Sequence, residues 1–180
     1  MAATYTTLTQ GATWAAGKNM YALVNHTSSG QTVDVYRIWM PSLQTATVTG
    51  GTCLVELWQC TSVSSFTGGT AQTFVAHDTN SASPNANVKS NSGTTTSLTK
   101  NTRIARYIRY TEEFAVSDTA MEALNTYFYP INFLWDVGYG DSNIQPIRLR
   151  EGEGIVLYTP ATGGGTYTGS TDIIVEMTIY

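Results

Sequence analysis

Along "TDIIVEMTIY" (171–180) apolar and polar side chains alternate: Ile173, Val175, Met177 and Ile179 fall on one side, and Asp172, Glu176 and Thr178 on the other. A strand turns successive side chains to opposite faces, so this period of two predicts a strand with one face in a core. "QPIRLR" (145–150) repeats the pattern, with Ile147 and Leu149 opposed to Arg148 and Arg150. Upstream, "MYALVNH" (20–26) and "VDVYRIWM" (33–40) are β-rich runs separated by "TSSGQT", and the Ser-Gly in that gap predicts a hairpin. Pro41 ends the second run, because proline lacks the N–H that an interior strand would donate. "CLVELWQC" (53–60), "QTFVAHD" (72–78) and the strongly apolar "YFYPINFLWDVGYG" (127–140) read as further strands, with Pro130 placing the last at an edge or a bulge.

Other stretches break the alternation. Residues 1–18 are small and polar around Trp14, and read as an extended arm or an edge strand. Residues 79–101 are almost without apolar side chains, which predicts a long surface loop with a brief strand near Val88. "TRIARYIRY" (102–110) has helical spacing at Ile104 and Ile108, but its Tyr, Ile and Thr content favours a strand. Over 116–127, Ser117 can cap a helix, Asp118 suits its first turn, and Ala120, Met121, Ala123 and Leu124 are helix formers. The expected fold is therefore all-β: a two-sheet antiparallel sandwich of jelly-roll topology with one short helix, in which 1–18 is an arm and 19–180 a single domain. An immunoglobulin-like arrangement is the alternative, weakened because Trp58 lies between cysteines that cannot supply that fold's inter-sheet disulfide.

Composition agrees with a strand-rich chain of one domain. Charged residues are 12% of the 180, about half the usual share, and thirty residues are threonine, whose β-branched side chain suits a pleated surface. The net charge of −4 gives no general footprint for phosphate backbones, so no direct nucleic-acid partner is expected. No stretch approaches the roughly 18 apolar residues of a membrane span. The start, "MAATYTTLTQGATWAAGKNM", lacks the basic and apolar regions of a secretory leader, so synthesis in the cytoplasm without a membrane partner is expected.

Candidate chemistry is sparse. Cys53 and Cys60 are an odd number of residues apart in one strand and face opposite ways, which predicts ordinary free thiols rather than a bridge or a metal site. His26 and His77 have no nucleophile motif beside them, and His77 and its neighbour Asp78 would face opposite ways. Carboxylate pairs occur at Glu112 and Glu113, Glu151 and Glu153, and Asp136 and Asp141; "DVGYGD" lacks the spacing of a calcium loop. In "REGEG" (150–154) the glycines Gly152 and Gly154 permit the reversal and the glutamates keep its tip wet. A simple loop over 151–154 would set Arg150 opposite Ile155 and Leu149 opposite Val156, leaving the register open. "NHT" (25–27) fits a glycosylation sequon by chance. Trp39, Trp58 and Trp135 fall in apolar strands and read as core or interface, whereas Trp14, in the polar arm, reads as an anchor for a neighbouring subunit. No catalytic residue, cofactor or metal is expected.

Taken together, "LVNHTSSGQTVDVYRIWM", "IRLREGEGIVLY" and "TDIIVEMTIY" resemble jelly-roll structural proteins of tailed-bacteriophage particles. The resemblance lies in turns and strands, not in catalytic residues. It implies a non-enzymatic virion component made in the host cytoplasm: a capsid decoration (cement) protein, a head-fibre base or a related attachment module, commonly a homotrimer. Its partner would be the major capsid protein or another virion protein. Under this reading Trp14, Lys18, Val88 and Lys89 are candidate subunit or capsid contacts. A carbohydrate-binding module and a shell-forming coat subunit are the alternatives.

Overall fold

The computed structural model describes residues 2–13, 15–40, 52–61, 68–93, 98–110, 132–138, 144–161 and 170–180. Among them, in chain order, run β1 (Ala3–Thr13), β2 (Lys18–Asn25), β3 (Val33–Met40), β4 (Thr52–Cys60), β5 (Thr70–Ala71) and β6 (Phe74–Ala76). There follow β7 (Val88–Ser92), β8 (Lys100–Tyr110), β9 (Asn132–Asp136), β10 (Ile147–Leu149), β11 (Glu153–Thr159) and β12 (Ser170–Ile179). The helix expected over 116–127 and Trp14 lie outside the described residues, which contain no helix.

Two antiparallel sheets pack face to face. The first has the order β10-β3-β12-β1-β6, and β9 follows β10 along the same edge of β3, pairing with residues 37–40 where β10 pairs with 33–35. The second has the order β5-β7-β2-β11-β4-β8. From β1 to β4 the chain changes sheet at every step, and it does so again from β8 to β9, from β10 to β11 and from β11 to β12, while β9 and β10 stay in the first sheet. The insertion between β4 and β8 extends both sheets on one side: β6 joins β1, and β7 joins β2.

The alternation in the sequence explains the core. Ile173, Val175, Met177 and Ile179 of β12 are buried, while Asp172, Ile174, Glu176 and Thr178 are half-buried on the outer face. They meet Val33, Val35 and Ile38 of β3 and, from the facing sheet, Tyr21, Leu23, Val55, Leu57, Ile155 and Leu157. One polar cluster crosses this apolar layer. The Tyr21 hydroxyl lies 2.8 Å from Thr7 Oγ1 of the opposite sheet and accepts a hydrogen bond from Ser90 Oγ at 2.9 Å. Burial pushes the Tyr21 phenol up to about 12, against the smaller opposing effect of these two hydroxyls.

Among the described residues of 1–18, nothing stands off as an arm. β1 pairs with β12 from Ala3 to Thr13 and with β6 at Tyr5, Thr6 and Thr7, and it buries Tyr5, Thr7 and Thr9. The crossover to β2 is pinned as well: Gly17 N donates to Thr159 O at 2.7 Å, and Thr159 Oγ1 lies 2.9 and 3.0 Å from the carbonyls of Ala15 and Lys18. Threonine at two of the buried positions, Thr7 and Thr9, made the segment look polar, yet these hydroxyl-bearing side chains are small enough to line a core.

The two expected hairpins are both arches. β2 and β3 belong to different sheets, as do β10 and β11, so the chain at 26–32 and at 150–152 crosses the sandwich instead of reversing within one sheet. A Ser-Gly or Gly-Glu-Gly turn signal specifies a change of direction; it does not specify which edge the next strand will pair with. β8 is a strand throughout, and the surface stretch 79–101 contains β7 at Val88.

Candidate functional site

The outer face of the second sheet carries the densest chemistry. Its middle is apolar: Ala22, Val24, Cys60, Leu98 and Val156 form a second buried cluster with Tyr158 packed against it. Cys60 is a free thiol as expected, and burial pushes it up to about 11 despite the nearby charge of Lys100. Beside this cluster the Glu56 carboxylate is almost wholly covered, its side chain 4% exposed. Three donors hold it. Arg106 Nη2 and Nε reach Oε1 at 2.6 and 2.9 Å, Arg103 Nη1 reaches the same oxygen at 2.9 Å, and Trp58 Nε1 donates to Oε2 at 2.8 Å. Burial alone would raise the Glu56 carboxyl, but the bonds from Arg106, Trp58 and Arg103 outweigh it and hold the group below its ordinary value.

The cations arrive on this face through two irregularities of pairing. Four of the chain's nine lysines and arginines lie in β8, at every third residue: Lys100, Arg103, Arg106 and Arg109. A regular strand would send such a series alternately to the two faces. Register shifts between Leu57 and Trp58 and between Gln59 and Cys60 each insert an extra β8 residue. Arg106, Arg103 and Lys100 therefore stand opposite Glu56, Trp58 and Cys60, alternate residues of β4 that share one face. The Arg103 guanidinium sits 5.8 Å from the centre of the Trp58 ring, and Lys100 Nζ sits 3.7 Å from that of Tyr158.

Elsewhere, ionisable groups hold the frame. Asp34, Glu176 and Asp136 pair with Arg148 and Arg37, and Asp136 also accepts from Gly138 N at 2.7 Å, so the Asp of "DVGYGD" acts as a turn brace. His77 Nε2 lies 2.6 Å from Thr6 Oγ1, whereas His26 is buried past the end of β2 in the other sheet. Among the described residues no three His, Cys, Asp or Glu side chains converge as a metal site. Asn25 of the sequon is fully buried and donates its amide to Gln31 O and Leu149 O at 2.7 and 3.2 Å. Glu112, Glu113 and Asp141 lie outside the described residues.

The glutamates of "REGEG", Glu151 exposed and Glu153 half-buried, also serve as anchors. Glu151 reaches across to the neighbouring arch and accepts from Gly30 N at 2.5 Å and from Ser28 N at 3.4 Å, while Glu153 Oε2 accepts from Arg150 N at 2.7 Å. Gly152 takes the positive φ, +79°, and donates its N–H to Asn25 O at 2.7 Å. Gly154 is required for a different reason: a Cβ there would stand 2.9 Å from Leu23 O and 3.0 Å from Val24 Cγ2.

Of the expected contact residues, the three that are described, Lys18, Val88 and Lys89, do not converge. Lys18 starts β2, exposed beside a groove of about 780 Å³ between β1 and β5–β7, lined by Leu8, Gln10, Gln72 and Ser92 among others. Lys89 pairs with Val24 near the other end of β2, some 20 Å away at the rise of a strand, and is exposed. Val88 points into the core and is 4% exposed. No family model, curated protein or solved structure matches the chain.

Proposed function

We propose that the chain is a non-enzymatic structural protein of a bacteriophage particle, a capsid decoration (cement) protein that binds the outer surface of the capsid as an oligomer and stabilises it. The observation that carries this reading is the strand order. With the insertion set aside, β1-β12-β3-β9/β10 faces β2-β11-β4-β8, and this order supports reading the sandwich as a jelly roll of two interlocked Greek keys. The use of most described carboxylates as ion-pair or backbone anchors supports a rigid binding body over a catalytic one.

On this reading the partner is the major capsid protein or another virion protein, the assembly is a homotrimer, and neither nucleic acid nor membrane is contacted directly. A carbohydrate-binding role draws less support. Arg37 stands 5.3 Å from the centre of the Trp39 ring and Arg103 5.8 Å from that of Trp58, so at these two tryptophans a cation competes for a face on which a sugar ring would stack. The test is co-sedimentation of the purified protein with particles that lack it, together with light scattering. Saturable attachment that raises the temperature of capsid disruption is the expected result; a strict monomer that fails to bind such particles overturns the reading.

A further inference from the structure

We propose that β8 docks an extended acidic segment of a partner protein, which adds to the second sheet as a further strand with carboxylates at alternate positions. This deepens the reading of an attached protein, and rests on it for where the partner resides, but not for the chemistry of the dock.

The first support is the edge itself. β8 ends the second sheet, and no described strand pairs with the row of backbone N–H and C=O groups on its outer side, which is the row a partner strand would use. Asn101, Thr102, Arg103 and Arg106 are exposed along it. The second support is spacing. Because of the two register shifts, Arg106, Arg103 and Lys100 advance by two β4 residues each, about 6.7 Å at the rise of a strand. An added strand presents its side chains on that face at the same interval, so every second residue of the partner meets one cation.

The third support is charge. Glu56 is one carboxylate among three cations, which leaves two positive charges on a face of a chain whose net charge is −4. The guanidinia of Arg103 and Arg106 keep N–H groups beyond those used by Glu56, on side chains 42% and 48% exposed. Those donors suit carboxylates, which a guanidinium can engage in pairs. Glu56 thus sets the arginines in a fixed row. A protein segment fits better than nucleic acid, because the open backbone of β8 has no complement on a phosphate chain and the rest of the protein repels a long polyanion.

The test is fluorescence anisotropy of the full chain with a labelled peptide of roughly ten residues alternating glutamate and threonine, the length of a long strand. Amide hydrogen exchange is followed in parallel, with an alternating lysine–threonine peptide and oligothymidylate of matched length as controls. The glutamate peptide should bind and slow exchange over Lys100–Tyr110, and the lysine peptide should not bind. Lys100→Gln, which leaves the Glu56 cluster intact, should weaken binding about threefold. Glu56→Gln combined with Arg103→Gln and Arg106→Gln removes the row without stranding a buried charge and should weaken it at least tenfold. Equal affinity in both variants, binding without protection of β8, or tighter binding of oligothymidylate would each overturn the proposal. The same variants separate it from the wider reading. Particle attachment that survives the triple change keeps the decoration role and removes this dock; peptide binding with β8 protection but no particle attachment does the reverse.

Discussion

Arg148 and Asp34 stand opposite one another on β10 and β3, and the guanidinium holds both carboxylate oxygens, Nε to Oδ1 at 2.8 Å and Nη2 to Oδ2 at 2.7 Å. The aspartate side chain is 1% exposed and the arginine 53%, so the arginine acts as the polar lid of a buried anion. Arg148→Ala strands that anion. It should lower the urea midpoint, though by less than breaking a fully buried pair would, because solvent can partly replace the lid. Arg148→Lys, with a single ammonium for a two-pronged fit, should recover about half.

Deleting residues 2–13 should abolish folding. The loss removes β1 from between β12 and β6, exposes the outer edge of β12 and leaves Tyr21 without its Thr7 partner. Near-UV circular dichroism of the truncated chain should lack the aromatic fine structure of the full protein. A cooperative unfolding transition in the truncated chain would show that β1 is an accessory after all.

How much of this was legible follows from what a period can encode. The alternation in 171–180 placed Ile173, Val175, Met177 and Ile179 in the core because it reports facing directly. The same alternation could not say that β2 and β3 lie in different sheets, since a strand's faces look alike whichever neighbour it pairs with. Likewise the threonines of β1 hid a core strand behind a polar composition. The cation cluster left a trace, four basic residues at every third position of β8, but period three has no meaning on a regular strand. Only the two register shifts against β4, set by tertiary pairing, bring Lys100, Arg103 and Arg106 together.

Gly152→Ala and Gly154→Ala should both destabilise, by separate routes. At Gly152 the cost is the left-handed φ and the approach of Thr27 Cγ2, about 1 kcal/mol. At Gly154 the new methyl meets the Leu23 carbonyl between paired strands, and about 2 kcal/mol or more is expected. Glu151→Gln weakens the tie between the arches, with a loss of about 1 kcal/mol. Denaturant midpoints at neutral pH order the three, and a Gly154→Ala protein as stable as the parent would contradict the close approach.

Stability should fall at both extremes of pH. Folded Tyr21 keeps its proton to about pH 12, whereas an unfolded tyrosine releases it near 10. Between these values the folded state binds more protons, so each step upward favours unfolding; the total is about 2 to 3 kcal/mol, and Tyr21→Phe should remove this part of the slope. Glu56 works in the opposite sense. Its folded carboxyl lies below the unfolded value of about 4.3, so its contribution is complete above that value and drains away as pH falls through the folded one. Thermal melts from pH 7 down to about 3 should decline less steeply in Glu56→Gln than in the parent.

The pairing of Ala3 with Ile179 also sets a clock. A ribosome adding about 5 to 20 residues each second needs roughly ten seconds or more between making β1 and making β12. Until β12 is made, the one described strand that can pair with β1 is the three-residue β6, itself made well after it, and the half-built first sheet cannot be sealed. The sparing use of large apolar side chains in β1 then has a use in the nascent chain: a strand that must wait this long for its neighbour stays soluble while it waits.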